Sequence, residues 1–275
     1  MKQIIHLFAR KRNHGFTLVE MVVSVAILAI LMAGMMLFIS PIVRSFNDTS
    51  RNLVAENVST CVENYLTASI RNATNVVIFG NTNDEKLKEN GNVIINKLKD
   101  YCKATTATGG NAYVLKCISL RFDDTDGRYY LYSETINTSG VGDTTDPLNA
   151  STRFSVFSKC LYDDLYMDFD FEKPLDMDKA TETPQPVRKD TMQMTVKTYS
   201  DAAHTDPIFV GTGLTELRQI KKDLVKNGEK STYEFTLYDG ISATACDSVK
   251  SSNGTDGARN IYIYYVVRNL ETSTS

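Results

Sequence analysis

Apolar residues run almost unbroken between positions 16 and 39, and Glu20 is the single ionisable side chain among them. As a helix this stretch would be about 36 Å long, enough to cross a hydrocarbon core of roughly 30 Å. Beyond it the pattern becomes that of an amphipathic helix. Val54, Val58, Cys61, Val62, Tyr65 and Ala68 recur at three- and four-residue steps, while Glu56, Thr60, Glu63, Thr67 and Arg71 line the opposite face. The spacing predicts one long helix from Thr17 to about Val77, closed by Gly80, a residue suited to a helix end. Two residues weaken its middle. Gly34 has poor helix propensity, and Pro41 removes a backbone hydrogen bond and disfavours helical geometry at Ser40, so a kink is expected between them.

Positions 81–110 are polar apart from one short helical stretch carrying Val93, Ile94, Leu98 and Tyr101, and after it the period changes to two. Positions 113–122 and 128–134 read as strands joined through Asp123-Asp124-Thr125-Asp126-Gly127, a hairpin signal of the Asp-Gly kind. Further strands are expected at 153–161, 165–172, 191–199, 232–238 and 260–268. In 165–172 the apolar Leu165, Met167, Phe169 and Phe171 alternate with Tyr166, Asp168, Asp170 and Glu172, which predicts one core face and one acidic face in water. Positions 260–268 are apolar or aromatic on both sides, as suits a strand inside the sheet. Loops are expected at 137–152 and at 173–190, the latter carrying three of the six prolines. Leu214, Leu217, Ile220 and Leu224 predict a short helix ending near Asn227-Gly228. The whole is an α+β chain: a long N-terminal helix, half membrane-spanning and half amphipathic, packed on a head of roughly six or seven antiparallel strands.

Charge orients this layout. Lys2, Arg10, Lys11 and Arg12 precede the apolar run with no acidic residue among them, so the leader should stay cytoplasmic and the head should lie outside. Without those four the chain has 26 basic against 33 acidic residues, a net of −7, which gives no general attraction to nucleic acid or anionic lipid.

Glu20 calls for an explanation. A carboxylate in the apolar part of a membrane helix costs about 2.5–3.5 kcal/mol on insertion scales, so its presence points to function. No Lys, Arg or His lies within the apolar run to pair with it. Cutting after Gly15 would create a positive charge, the Phe16 amine, one helical turn away. A secretory signal peptide fits poorly, because the run is long and Leu31 stands where a small residue belongs before Ala33. A lipoprotein signal needs a cysteine just after the apolar core, whereas the first here is Cys61.

Basic leader, Gly15-Phe16-Thr17-Leu18-Val19-Glu20 and apolar run, in that order, resemble the N-terminal signature of type IV pilins and of the pseudopilins of type II secretion and competence systems. The resemblance covers roughly the first 40 residues. It implies a leader at 1–15, a transmembrane or filament-core helix at 16–40, an amphipathic helix at 41–79 and an extracytoplasmic head at 80–275. It also implies that prepilin peptidase cuts between Gly15 and Phe16 and N-methylates Phe16, and that Glu20 guides assembly. The partners it implies are other pilin or pseudopilin subunits, an inner-membrane assembly platform, and membrane lipid before assembly. Gly34 and Pro41 resemble the helix-loosening glycine and proline often found in this region of the family. The head exceeds that of a typical major pilin, which favours a minor pilin or pseudopilin.

Other candidate chemistry is sparse. Cys61, Cys102, Cys117, Cys160 and Cys246 fall in the outer part, where disulfides can form. No C-x-x-C occurs and His204 is the only histidine there, so no zinc site of ordinary spacing is expected. The aspartates at 123–126 suggest calcium, which some pseudopilins bind in their heads, but they lack the spaced ligand set of a calcium loop and read as a turn. Asp168, Asp170 and Glu172 have no nucleophile or base motif nearby. Lys221, Lys222, Lys226 and Lys230 form a local basic cluster, which reads first as a solvated helix face and keeps a nucleic-acid ligand open. No cofactor or enzymatic activity is expected. The chain reads as a filament subunit, and the competing reading is an adhesin or DNA-capturing module on the same anchor.

Overall fold

The computed structural model describes residues 17–81, 95–96, 98–99, 102, 113–136, 153–162, 164–176, 187–188, 190–223, 235–239, 245–251 and 258–268. Its first element is α1 (Leu18–Ile70), a helix of 53 residues. The chain forms two compact units, Met1–Arg51 and Asn52–Ser275.

In the first unit the apolar side chains of α1 are uncovered: Leu18, Met36, Leu37 and Phe38 are each more than 70% exposed. Such a surface needs lipid or other protein around it. Among the described residues α1 is the one helix long and apolar enough to cross a membrane. The helix continues through Gly34 and Pro41, and a Cβ on Gly34 would meet nothing within 4 Å.

The second unit begins with the rest of α1, where Ala55, Val58, Ser59, Val62, Leu66 and Ile70 are buried. The expected apolar stripe is therefore displaced: Val58 and Val62 belong to it, whereas Val54, Cys61 and Ala68 are exposed. The helix also ends earlier than its periodicity predicts. Ala73 N donates to Ile70 O at 2.9 Å, and Asn75–Asn81 form strand β1, with Gly80 inside it. Val76, Val77 and Ile78 are β-branched and follow Asn72 and Asn75, so strand geometry outcompetes another helical turn.

The remaining elements are β2 (Tyr113–Asp123), β3 (Arg128–Ile136), β4 (Phe154–Ser155), α2 (Lys159–Tyr162), β5 (Tyr166–Glu172), β6 (Thr191–Tyr199), β7 (Pro207–Glu216), α3 (Arg218–Asp223), β8 (Phe235–Asp239), β9 (Ala245–Cys246), β10 (Ser248–Lys250) and β11 (Asn260–Arg268). They form two sheets where sequence periodicity predicted one. The larger has the order β4-β3-β2-β11-β1-β8-β9 and the smaller β10-β5-β6-β7. Among the described residues all strand pairs are antiparallel except β1 with β8. The α+β layout of a long apolar helix followed by an antiparallel head thus holds. Two expected elements change. Positions 153–161 give only the two-residue β4 before the chain turns into α2, and Leu214 belongs to β7, with helix starting only at Arg218. Ile208, Phe209 and Val210 with their β-branched and aromatic neighbours favour the strand.

The core follows from the two faces of β11. Ile261, Ile263 and Tyr265 join a cluster with Val62, Leu66 and Ile70 of α1 and with Met167, Phe169, Met194 and Val196 of the smaller sheet. Tyr262, Tyr264 and Val266 face the other way, into a second cluster with Ile95, Leu98 and Cys102. This two-sided burial is what the unbroken apolar run of 260–268 predicts. Polar contacts fix how α1 lies on the smaller sheet: Ser59 Oγ is 2.6 Å from Thr198 Oγ1, and Thr67 Oγ1 is 3.1 Å from Thr215 Oγ1.

On the second face, Glu134, Cys117 and Tyr264 stand in one cross-strand row. The Glu134 side chain is 2% exposed, with Arg153 Nε 3.4 Å from Oε2 and no hydrogen-bond partner for the buried Oε1. Burial raises its pKa, against the lowering influence of Arg153 and Arg121. A carboxyl whose folded pKa exceeds its unfolded one binds protons more tightly when folded, so its charge costs stability above that window and costs nothing below it. Glu134→Gln should therefore melt at a higher temperature than wild type near pH 7. The gap should close toward about pH 4, and calorimetry across that range would show it.

Candidate functional site

The first described residues set the start of α1. Thr17 N donates to Glu20 Oε2 at 3.0 Å, Thr17 Oγ1 donates to the same oxygen at 3.1 Å, and Glu20 N donates to Thr17 Oγ1 at 3.2 Å. This is a reciprocal capping box, with Thr17 at the cap and Glu20 three residues on, and it satisfies amides that a helix start leaves without partners. The carboxylate also lies where the helix dipole favours negative charge. Sequence reasoning sought a countercharge for Glu20, with the Phe16 amine freed by a cut after Gly15 as one candidate, and missed this role. The signal was there in the spacing Thr-x-x-Glu. Both capping bonds from Thr17 land on Oε2, so the cap makes no use of the other carboxylate oxygen. Gly15 and Phe16 lie outside the described residues.

The head places the other candidates as follows. The 123–127 segment is a hairpin turn: Gly127 has φ of +70°, Thr125 N donates to Asp123 Oδ1 at 3.0 Å, and Arg128 N donates to Asp126 Oδ1 at 3.2 Å. Lys159 Nζ sits 3.3 Å from Asp123 Oδ2 and 3.4 Å from Asp126 Oδ2, and 4.5 Å from the centre of the Tyr130 ring, whose hydroxyl donates to Asp126. Asp123 and Asp126, two of the three aspartates that suggested calcium, thus serve turn amides and an ammonium group, while Asp124 is exposed.

The acidic side of β5 is not in water. Asp168 is 6% exposed and Asp170 8%. Lys197 Nζ donates to Asp170 Oδ2 at 2.9 Å, Gln193 Nε2 to Glu172 Oε1 at 3.3 Å, and His204 Nδ1 is 3.0 Å from Asp168 Oδ1. Alternation identified the face correctly but could not show that β6 supplies Gln193 directly opposite Glu172 and Lys197, opposite Asp168, reaching diagonally to Asp170. Ser251 Oγ accepts from Phe169 N at 2.7 Å and is 3.5 Å from Asp168. The hydroxyl is fully buried and meets the carboxylate, not the imidazole, so serine, histidine and aspartate do not line up as a nucleophile with its base. A cavity of about 770 Å³ beside this sheet is lined by residues including Lys173, Leu175, Val187, Arg188, Gln193 and Leu214. Its charged groups are of both signs and present no nucleophile–base pair.

Of the cysteines, Cys61 and Cys160 are exposed thiols and Cys117 is buried, its pKa pushed up chiefly by burial. Lys221 and Lys222 belong to α3, while Lys226 and Lys230 lie outside the described residues.

Residues 10–36 match a family model described as the prokaryotic N-terminal methylation motif, the signature carried by type IV pilins and pseudopilins. Comparison of the chain with curated proteins and with solved structures finds no match.

Proposed function

We infer, from an N terminus that bears the type IV pilin and pseudopilin signature, that this chain is a structural subunit precursor cut between Gly15 and Phe16 and assembled through α1 into a pilus-like filament. The motif implies processing by prepilin peptidase and assembly with other pilin subunits. The observation that carries the reading is the helix start. α1 begins at Leu18, immediately past the proposed cut, with Glu20 in its first turn and its apolar side chains uncovered in the first unit. Such a helix is stable in lipid before assembly and in a bundle of like helices afterwards, with the assembly platform moving it from one to the other.

In the filament, Glu20 pairs with the methylated Phe16 amine of a neighbouring subunit while Thr17 holds its carboxylate in place. Gly34 and Pro41 are the points at which α1 loosens on entering the bundle. The head, larger than that of a typical major pilin, favours a minor pilin or pseudopilin. The test is processing. Gly15→Val, which puts bulk beside the cut, should accumulate as an uncut membrane form, and wild type sheared from cells should begin at a methylated Phe16 by N-terminal sequencing and mass. Normal trimming of the valine variant would overturn this account.

A further inference from the structure

Sheet edges expose backbone amides and carbonyls that seek a strand, and folded proteins usually keep such edges short, charged or covered. Among the described residues, three of the four edges are short: β4 and β9 have two residues each and β10 has three. The fourth is β7, ten residues long, with β6 as its one neighbour among the described residues. Its sequence Pro-Ile-Phe-Val-Gly-Thr-Gly-Leu-Thr-Glu has no lysine or arginine, and its only charge is Glu216 at the end. Phe209, Gly211, Gly213 and Thr215 point to the α1 side, where Glu63 lies so close to Gly213 that a Cβ there would collide with its carboxylate. Val210, Thr212 and Leu214 point the other way, with Val210 49% and Leu214 65% exposed.

We propose that β7 pairs antiparallel with β7 of a second copy of this chain, about a two-fold axis at Thr212. The sequence around that residue reads the same in both directions by chemical type: Val210-Gly211-Thr212-Gly213-Leu214. With Thr212 opposite itself, Val210 meets Leu214 of the second copy on the outer face and Gly211 meets Gly213 on the inner face. Phe209 meets Thr215 and Ile208 meets Glu216, so no like charges are opposed, as a stable antiparallel pair requires. A second copy is the fitting occupant because the other described edges, at two or three residues, cannot satisfy a ten-residue strand, whereas β7 itself matches in length and pattern. The two four-stranded sheets become one continuous sheet, and the unpaired edge disappears. This contact lies in the head and does not depend on the filament reading. Being two-fold, it closes on itself and does not propagate a filament.

The register makes the test specific. In full-length protein in detergent, with exposed Cys61 and Cys160 changed to serine, Val210→Cys in one tagged population and Leu214→Cys in another should cross-link to each other on mild oxidation. Val210→Cys alone should not cross-link to itself, and Lys250→Cys, on the opposite edge, should cross-link to neither. Thr212→Lys, at an exposed position, should shift the dimer to monomer in analytical ultracentrifugation while its far-UV circular dichroism spectrum stays that of the wild type, although it gives up the 3.3 Å contact of Thr212 Oγ1 with Thr195 Oγ1. A dimer that survives Thr212→Lys, or cross-linking at Lys250→Cys equal to that between positions 210 and 214, would overturn the pairing, since α1 contacts in the micelle would then account for association. A protein that is monomeric throughout, including one that binds an added β-strand peptide instead, would overturn it as well.

Discussion

A fragment beginning at Asn52 should fold cooperatively without detergent, and one beginning at Asn75 should not fold. The first keeps the whole second compact unit and drops only the uncovered part of α1. The second loses Val58, Val62, Leu66 and Ile70, all between 0% and 4% exposed in the main cluster. Burying one such side chain contributes about 1.5–3 kcal/mol, so four contribute roughly 6–12 kcal/mol, as much as the whole stability of an ordinary domain. The loss would also leave the hydroxyls of Thr198 and Thr215 without their partners on α1. Urea titration followed by circular dichroism distinguishes the outcomes. A fragment from Asn75 that unfolds as sharply, and at the same denaturant concentration, would mean that α1 lies on the head without contributing to its core.

That expectation was partly legible in the residues before any coordinates, and the parts that failed share a cause. Strands with a clear alternation or a two-sided apolar run, such as β2, β6 and β11, could be read directly, because burial on one or both faces leaves its own period. β1 could not. The helical reading runs on to about Val77 because the short apolar run Val76-Val77-Ile78-Phe79 suits helix or strand alike, and only the pairing with β11 and β8 makes it a central strand. The same holds for Leu214, whose spacing to Leu217 and Ile220 imitates a helix while its backbone pairs with Gln193. The carboxylates of β5 read as solvated because alternation reports which face a residue is on and not what covers that face. In each case the deciding partner lies far away in sequence. At the N terminus the opposite holds: the capping box is entirely local, and the spacing Thr17-Leu18-Val19-Glu20 is by itself enough to identify it.

Glu20 consequently has two separable roles, and its variants should separate them. In an isolated subunit the carboxylate caps α1 through Oε2. Glutamine at this position of a capping box also accepts from the cap residue, so Glu20→Gln keeps the helix start and loses only the charge, whereas Glu20→Ala loses both. In the proposed filament the charge is what matters, because it compensates the Phe16 amine of a neighbour in a low-dielectric core. Removing one partner of such a pair costs about 3–5 kcal/mol, equivalent to a loss on the order of a hundredfold or more in association. Both variants should be made, inserted and cut after Gly15, since neither adds charge to the membrane span, and the glutamine and alanine side chains enter it more easily than a carboxylate. Both should then be nearly missing from sheared filaments while their membrane levels match wild type, as quantitative immunoblots of the two fractions would record. If Glu20→Gln assembles normally and only Glu20→Ala fails, the capping box is the functional element and the intersubunit pairing is wrong. If both assemble at the wild-type level, the glutamate serves neither purpose in the filament, and α1 acts through its apolar surface alone.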